Sequence, residues 1–456
     1  PSEALLPRLV AELEAGAQGE ADQLALQDLR SGDYLPGRGA LDMKSGLAAG
    51  MALLFRLAEL DERPGSLLLI ATPDEEQTSQ GMRAAAARLP SLAQEWGLEP
   101  VAAINLDSTT DRGDGRDGQA IYMGSVGKLL PSVYVVGRDT HAGAPFDGVN
   151  ANLLAAEITR RIECSPELAD MAAGEVAPPP VCLKQADLKT HYDVTTPAAA
   201  WCYYNLLTYS WAPSEALAKI VRSVQEALDA AMAELRTRMR RYAELTGSPI
   251  VAPSWQPRAL TFADLKRRAI ERAGADTERA LAELAGRLAD DLDVDLPTYC
   301  LRTTELLWKL SGLTGPAAVV GLASLYYPRV SVGETDRRHV GLREAATRQI
   351  ATLAREMDVA VRLRPFFPAI SDMSFLGGAG APEELELVAA NIPAWGTRIR
   401  LDYGAAGALN LPIINVGPWG RDHHQRIERV YMPYAFGLLP ELVWRIAGDL
   451  FADTAA

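Results

Sequence analysis

Five acidic or imidazole side chains stand where apolar runs of this chain end, and their types suit metal-assisted hydrolysis. Asp42 lies in Gly37–Gly46 (GRGALDMKSG), and Glu75 and Glu76 follow Pro73-Asp74 after the apolar run from Ser66 to Thr72. Asp107 closes Val101–Leu106, and His424, beside His423, follows Leu411–Val416. Carboxylates and imidazole at strand ends are donors for a pair of zinc ions. Two divalent ions polarise a carbonyl and acidify water, and a carboxylate outside the coordination sphere can then take the water's proton. Successive side chains of an extended segment point in opposite directions, so the adjacent Glu75 and Glu76 divide these two tasks.

Each residue taken singly has a plainer reading. Asp-Glu-Glu after a proline is a common solvated helix start, and Asp42 and Asp107 both sit in turn-forming surroundings. His423 and His424 lie in a Gly/Asp-rich loop, and His141 stands in a turn beside glycine. The four sites together, each at the end of an apolar run, carry the argument for chemistry. Other chemistries fail on their spacing. Gly127-Lys128 lacks the upstream glycine and the following Ser/Thr of a phosphate-binding loop. No GxGxxG, GxSxG or HExxH pattern occurs. Cys164, Cys182, Cys202 and Cys300 have no paired spacing and read as buried thiols.

The elements that must position these groups alternate as β/α units. The run Ser66–Thr72 reads as a buried parallel strand between helices Ser45–Leu60 and Ser79–Leu89. From Gly124 the pattern changes: strand Lys128–Val136, helix Asn152–Glu163, strands Val181–Leu188 and Ala198–Leu207, then a long helix capped by Ser214 and ended by Gly247. Strand Ala317–Leu322 closes this second module, and a charged, helix-rich stretch interrupts it near 257–315. Helix Leu342–Met357, strand Val359–Leu363 and a last helix Phe436–Phe451 restore the first pattern. The expected organisation is a catalytic α/β domain over 1–123 and 335–456, with an α+β domain over 124–334 inserted in it.

At 456 residues the chain suits two domains. Its net charge of −14 argues against nucleic acid or an anionic membrane as partner. No apolar run reaches membrane-span length, and few unpatterned cysteines fit the cytoplasm.

Four stretches together resemble the zinc-dependent aminoacylase, carboxypeptidase G and succinyl-diaminopimelate desuccinylase family, and within it the arginine-utilisation branch. They are Gly37–Gly46, Thr72–Arg83 (TPDEEQTSQGMR), Val136–Ile158 (VGRDTHAGAPFDGVNANLLAAEI) and Gly417–Val430 (GPWGRDHHQRIERV). The resemblance implies a three-layer zinc-exopeptidase-type domain with a ferredoxin-like lid that mediates homodimerisation. It implies that Asp42 bridges two zinc ions (cobalt or manganese being possible), that Glu76 and His424 complete one of them, and that Asp107 binds the other. His424 is chosen over His423 because it precedes Glu428 by four residues, as in the family. Glu75 is then the general base, His141 the lid histidine that steadies the oxyanion in the partner subunit's site, and Asn150 a substrate contact. Ser374–Gly378, with Arg398 or Arg400, are candidates for holding a substrate carboxylate. The family's second metal also takes a histidine from an earlier His-x-Asp motif, and no histidine precedes Asp42. The expectation is an N-terminal segment upstream of Pro1 that carries it. The expected substrate is a small amino-acid derivative, such as an acyl-arginine. The alternatives are a non-catalytic binding or regulatory protein with an incomplete metal site, and a di-zinc exopeptidase acting on free N-termini.

Overall fold

The computed structural model describes residues 2–16, 19–76, 78–110, 119–247, 254–289, 291, 293–378 and 380–455. The chain forms two compact units. The first comprises Pro1–Val126, Arg329–Ala379 and Asp402–Ala456, and the second Gly127–Pro328 with Gly380–Leu401. Among the described residues no helix is long and apolar enough to cross a membrane.

The first unit is α/β. Its central sheet has the order Arg362–Arg364, Ala120–Tyr122, Ile413–Asn415, Ala103–Asn105, with the two outer pairings parallel. Helices Ser45–Ala58, Arg337–Met357 and Leu439–Ala455 bury Leu53, Leu342, Ala346, Leu442 and Ile446 in one core with Ile121 and Ile414 of this sheet. Apolar residues at helical spacing place those faces inward. The run Ser66–Thr72 forms no hydrogen-bonded strand, contrary to expectation, although Leu67 still packs on this core. Continuous apolarity marks burial, and it does not by itself assign a ladder.

A second, smaller sheet positions the site. Its order is Tyr34–Pro36, Arg429–Tyr431, Trp419–Arg421, Thr109–Thr110. Two parallel chain segments cross from the central sheet into this one without losing register: Ala103–Asn105 beside Ile413–Asn415, and then Thr109–Thr110 beside Trp419–Gly420. Asp107 and Gly417 face each other at the crossing, where a Cβ on Gly417 would lie 1.8 Å from the Asp107 carbonyl oxygen.

The second unit is α+β. Its sheet runs Val181–Asp187, Ala199–Thr208, Pro131–Val136, Ala317–Leu322, Arg258–Thr261, with Gly127–Leu129 pairing at the far end of Ala199–Thr208. All neighbours are antiparallel except the last pair. Helices Ala151–Ile162 and Pro213–Thr246 pack together, and Phe262–Ala273, Ala275–Leu288 and Leu296–Ser311 form the helical stretch. The long helix begins on Ala212 with Pro213 in its first turn, so Ser214 is not its cap. The Ser214 N–H and hydroxyl instead donate to Glu384, at 2.8 and 2.6 Å. Gly247 ends that helix at φ 66°, a left-handed turn suited to glycine. The thiols are not uniformly buried: Cys202 and Cys300 are, Cys182 is half-buried and Cys164 exposed.

The turn between Thr208 and the long helix is built on one carboxylate. Buried Asp170 accepts from the N–H groups of Tyr209, Ser210 and Trp211 and from the Ser210 hydroxyl, at 2.6–2.8 Å. Burial alone would raise its pKa, but these donors outweigh that and hold it below the usual carboxylate range. A depressed folded-state pKa contributes stability above the unfolded value, near 4, and loses it as pH falls through the folded value. Asp170→Asn is therefore expected to cost about 2–3 kcal/mol at pH 7. Urea unfolding of both proteins should show this gap narrowing as pH falls below about 4, where the carboxylate of the unfolded wild-type chain begins to protonate while the folded one is still held ionised.

Candidate functional site

Three loops of the first unit meet at one point. Nε2 of His424 lies 2.8 Å from Asp42 Oδ2 and 2.6 Å from Glu76 Oε1. One donor atom from each of these residues lies within 4.8 Å of the others. His424 is half-exposed and Asp42 largely buried.

Each loop is held by its own polar framework. In the first, the backbone at Asp42 (φ −112°, ψ 98°) and Met43 (φ −134°, ψ 44°) is not helical. It departs just before helix Ser45–Ala58, and the Asp42–Met43 peptide is cis. In the second, Asp74 does the capping work expected of all three acids. Its carboxylate accepts from the Thr78 hydroxyl at 2.6 Å and the Gln80 N–H at 3.1 Å. The Thr78 bond chiefly holds its pKa below the ordinary carboxylate value. Asp74 at φ 71° and Ser79 at φ 50° take left-handed conformations, which cost non-glycine residues about 1–2 kcal/mol. Such positions collect at functional loops. Glu75 and Glu76 thus sit in a turn, not in an extended segment. In the third loop His424 is itself left-handed, at φ 60°.

Asp107 is clamped through its backbone. Buried Asn415 accepts the Asp107 N–H at 3.1 Å and donates to its carbonyl at 3.0 Å, while Asn105 donates to Asn415 and to Ser371. Nothing in the local pattern of Asn105 or Asn415 announces this clamp. The Gly417→Ala change drives a methyl into the same carbonyl, so the crossing must shift. Overpacking of this kind costs about 1–3 kcal/mol, and a differential scanning measurement should show the loss together with weakened metal binding.

The electrostatics are those of crowded acids. Burial first, then Asp107, Asp372, Glu76 and Asp42, push Glu75 up to about 8. Burial and Asp42 push Asp107 up to about 7, against a 2.7 Å hydrogen bond from the Ser108 N–H. Asp372 is a further acidic member that sequence reasoning missed. It is buried, accepts from the Thr72 hydroxyl at 3.3 Å, and is also raised, chiefly by burial. Carboxylates packed this densely call for a cation.

Asp42, Glu76 and His424 fit one divalent ion, offering two carboxylate oxygens and an imidazole nitrogen. Asp107 stands near enough to Asp42 for their charges to interact. Among the described residues no histidine joins Asp107 in such a group. His423 packs edge-on against His424, with ring centroids 5.2 Å apart. His339 is half-buried and its Nδ1 accepts from the Gly333 N–H at 2.8 Å.

The remaining candidates are held by other contacts. His141, in the second unit, is exposed, and its Nδ1 accepts from the Gly143 N–H at 3.0 Å. Asn150 caps helix Ala151–Ile162, its Oδ1 accepting from the Asn152 N–H at 2.9 Å. Ser374 is buried. The Arg398 guanidinium donates to the carbonyls of Leu288, Asp291 and Val294 and stacks over Tyr299, so it staples the helical stretch. Arg400 donates to the Gly396 carbonyl.

Residues 18–394 match the model of peptidase family M20/M25/M40. The chain belongs to that family. Its members are metal-dependent peptidases and amidohydrolases, and the three-donor cluster of this M20 chain is in keeping with them. The chain is 34% identical to the uncharacterised protein YqjN of Bacillus subtilis over 418 residues, 91% of this chain and 74% of that one. It is 31% identical to protein RocB of the same organism over 425 residues, covering 93% and 74%. A shorter match, 35% over 124 residues, is to a succinyl-diaminopimelate desuccinylase of Wolinella succinogenes, covering 27% of this chain and 31% of that enzyme. Among solved structures, aminopeptidase PepT of Bacillus cereus superposes with a TM-score of 0.46 at 14% identity, covering 92% of this chain and 74% of that one.

Proposed function

We propose that this M20 chain is a two-zinc amidohydrolase that cleaves the amide bond of an N-acyl amino acid or a small peptide-like substrate. The observation that carries this reading is the division among acids: Asp42 and Glu76 close on His424, while Glu75 stays outside that contact, half-buried among carboxylates. Asp42, Glu76 and His424 would hold one ion, and Asp42 with Asp107 the other. Such ions, when bound, polarise the substrate carbonyl and make water nucleophilic at neutral pH.

The chain's own residues do the rest. Glu75 takes the attacking water's proton and returns it to the leaving nitrogen. His141, acting across a homodimer formed through the second unit, donates to the oxyanion. Asn150 contacts substrate through its amide, its Oδ1 being engaged at the helix cap. Resemblance to the arginine-utilisation branch favours an acyl-arginine.

The test is hydrolysis of matched N-acyl-arginine and free-amine dipeptide substrates before and after chelation and zinc return. Zinc-restored cleavage of the acylated series alone supports the proposal. Cleavage of free-amine substrates alone makes the protein an exopeptidase, and no cleavage with zinc bound makes it a binding protein. Mixing His141→Ala and Glu75→Gln subunits should restore part of the activity. Mixed dimers that stay inactive would remove the cross-subunit role.

A further inference from the structure

Glu428 is wholly buried, and nothing in the proposed chemistry uses it. Its carboxylate reaches across to the loop of Asp42, 386 residues away in sequence. Oε1 accepts the N–H groups of Leu41 at 3.1 Å and Asp42 at 3.3 Å. Oε2 pairs with the guanidinium of Arg38, and the Glu428 carbonyl accepts from the Gly37 N–H at 2.9 Å. One residue therefore binds four positions of the Gly37–Asp42 segment.

The same residue closes the His424 loop. Arg429, its neighbour, pairs along Tyr34–Pro36 in register with Pro36, which leads directly into the Asp42 loop. The Glu428 N–H donates to the Gln425 carbonyl at 3.2 Å, within the turn that presents His424. Glu428 thus joins the two loops whose donor atoms stand 2.8 Å apart. Asp42 has a non-helical backbone and belongs to no strand. Two ladder-less N–H groups aimed at one buried oxygen are the means of fixing its direction.

We infer that Glu428 is the positioning residue of the Asp42–His424 metal pair, setting the geometry in which both donors face one cation. This rests on the metal-site reading above. It predicts that the residue acts on metal affinity through ligand orientation, as groups behind metal ligands do, with losses of about 10- to 100-fold on mutation.

The test uses metal-stripped full-length protein titrated with zinc against a chromogenic chelator, and with cobalt(II) to record ligand-field absorption. Glu428→Gln keeps one acceptor for the Leu41 and Asp42 N–H groups and should stay folded by circular dichroism. Its zinc affinity should fall about 10- to 100-fold with an altered cobalt spectrum. Glu428→Ala should fall further, and if it fails to fold, Glu428→Gln decides. Unchanged affinity and spectrum with only a lowered melting temperature would make Glu428 a plain structural residue and overturn the inference. A wild-type protein that binds no zinc would instead sink the metal-site reading, and this inference with it.

Discussion

Replacing Glu75 with glutamine should lower turnover by about 10²- to 10⁴-fold while leaving zinc affinity close to that of the wild type. The asymmetry follows from geometry. Asp42, Glu76 and His424 converge on one another, and Glu75 is not among the three. An amide keeps the size of the side chain and loses its basicity. The chemical step is therefore lost and the cation site kept. The measurement is kcat on the best N-acyl substrate, with zinc binding determined on the same preparations. Equal loss of zinc and activity would show Glu75 to be a ligand, and full activity would remove it from the reaction.

The same substitution should stabilise the metal-free protein above the pH at which an ordinary carboxyl ionises. Burial and four neighbouring carboxylates raise Glu75 to about 8 from an ordinary value of 4.5. A carboxyl raised in the folded state favours folding fully below the unfolded value. That contribution is lost as pH rises from about 4.5 through about 8. Metal-free Glu75→Gln should thus melt above metal-free wild type at pH 8, with the difference vanishing near pH 4. A group retained at a folding disadvantage is what a catalytic acid-base residue looks like in a stability measurement.

The parts of this site open to sequence reading are the contiguous ones. Asp42, Glu75-Glu76 and His424 each lie in a short motif at the end of an apolar run, so their grouping could be anticipated. Strand Ala317–Leu322 is likewise found at its expected bounds. Helix Arg337–Met357 begins earlier than its apolar stripe suggests because Asp336 caps it, accepting from the N–H groups of Arg338 and His339. The supports were not legible. Asn415 reaches Asp107 across 308 residues, and a buried Asn or Glu leaves no periodic trace. The segment Gly380–Leu401 packs with the second unit through contacts such as Asn391 Oδ1 with the Ala263 N–H at 3.2 Å, which no local pattern encodes.

Asp28→Ala should be the most destabilising single change in the first unit, costing about 3–5 kcal/mol. Asp28 lies on helix Glu20–Ser31 and is buried. One of its oxygens accepts from Arg429 Nε and Nη2, at 2.9 and 2.7 Å, and both lie within 3.1 Å of Arg421 Nη1. Arg429 is only 1% exposed and Arg421 9%, so neither guanidinium can recover its hydration if the carboxylate goes. Removing one partner of a buried ion pair strands the other charge, which costs far more than the intact pair contributes. The two arginines flank the His424 loop, and Arg429 also holds Asp422 and the Ile427 carbonyl. The damage should therefore reach the metal donors: zinc affinity falls together with the denaturant midpoint. A triple replacement of Asp28, Arg421 and Arg429 by apolar residues of similar volume should recover much of the stability. It should not recover zinc affinity, because the loop that carries His424 would still lack the Arg429 bonds to Asp422 and Ile427. Recovery of both together would show that burial at this position, not the charge network, shapes the loop.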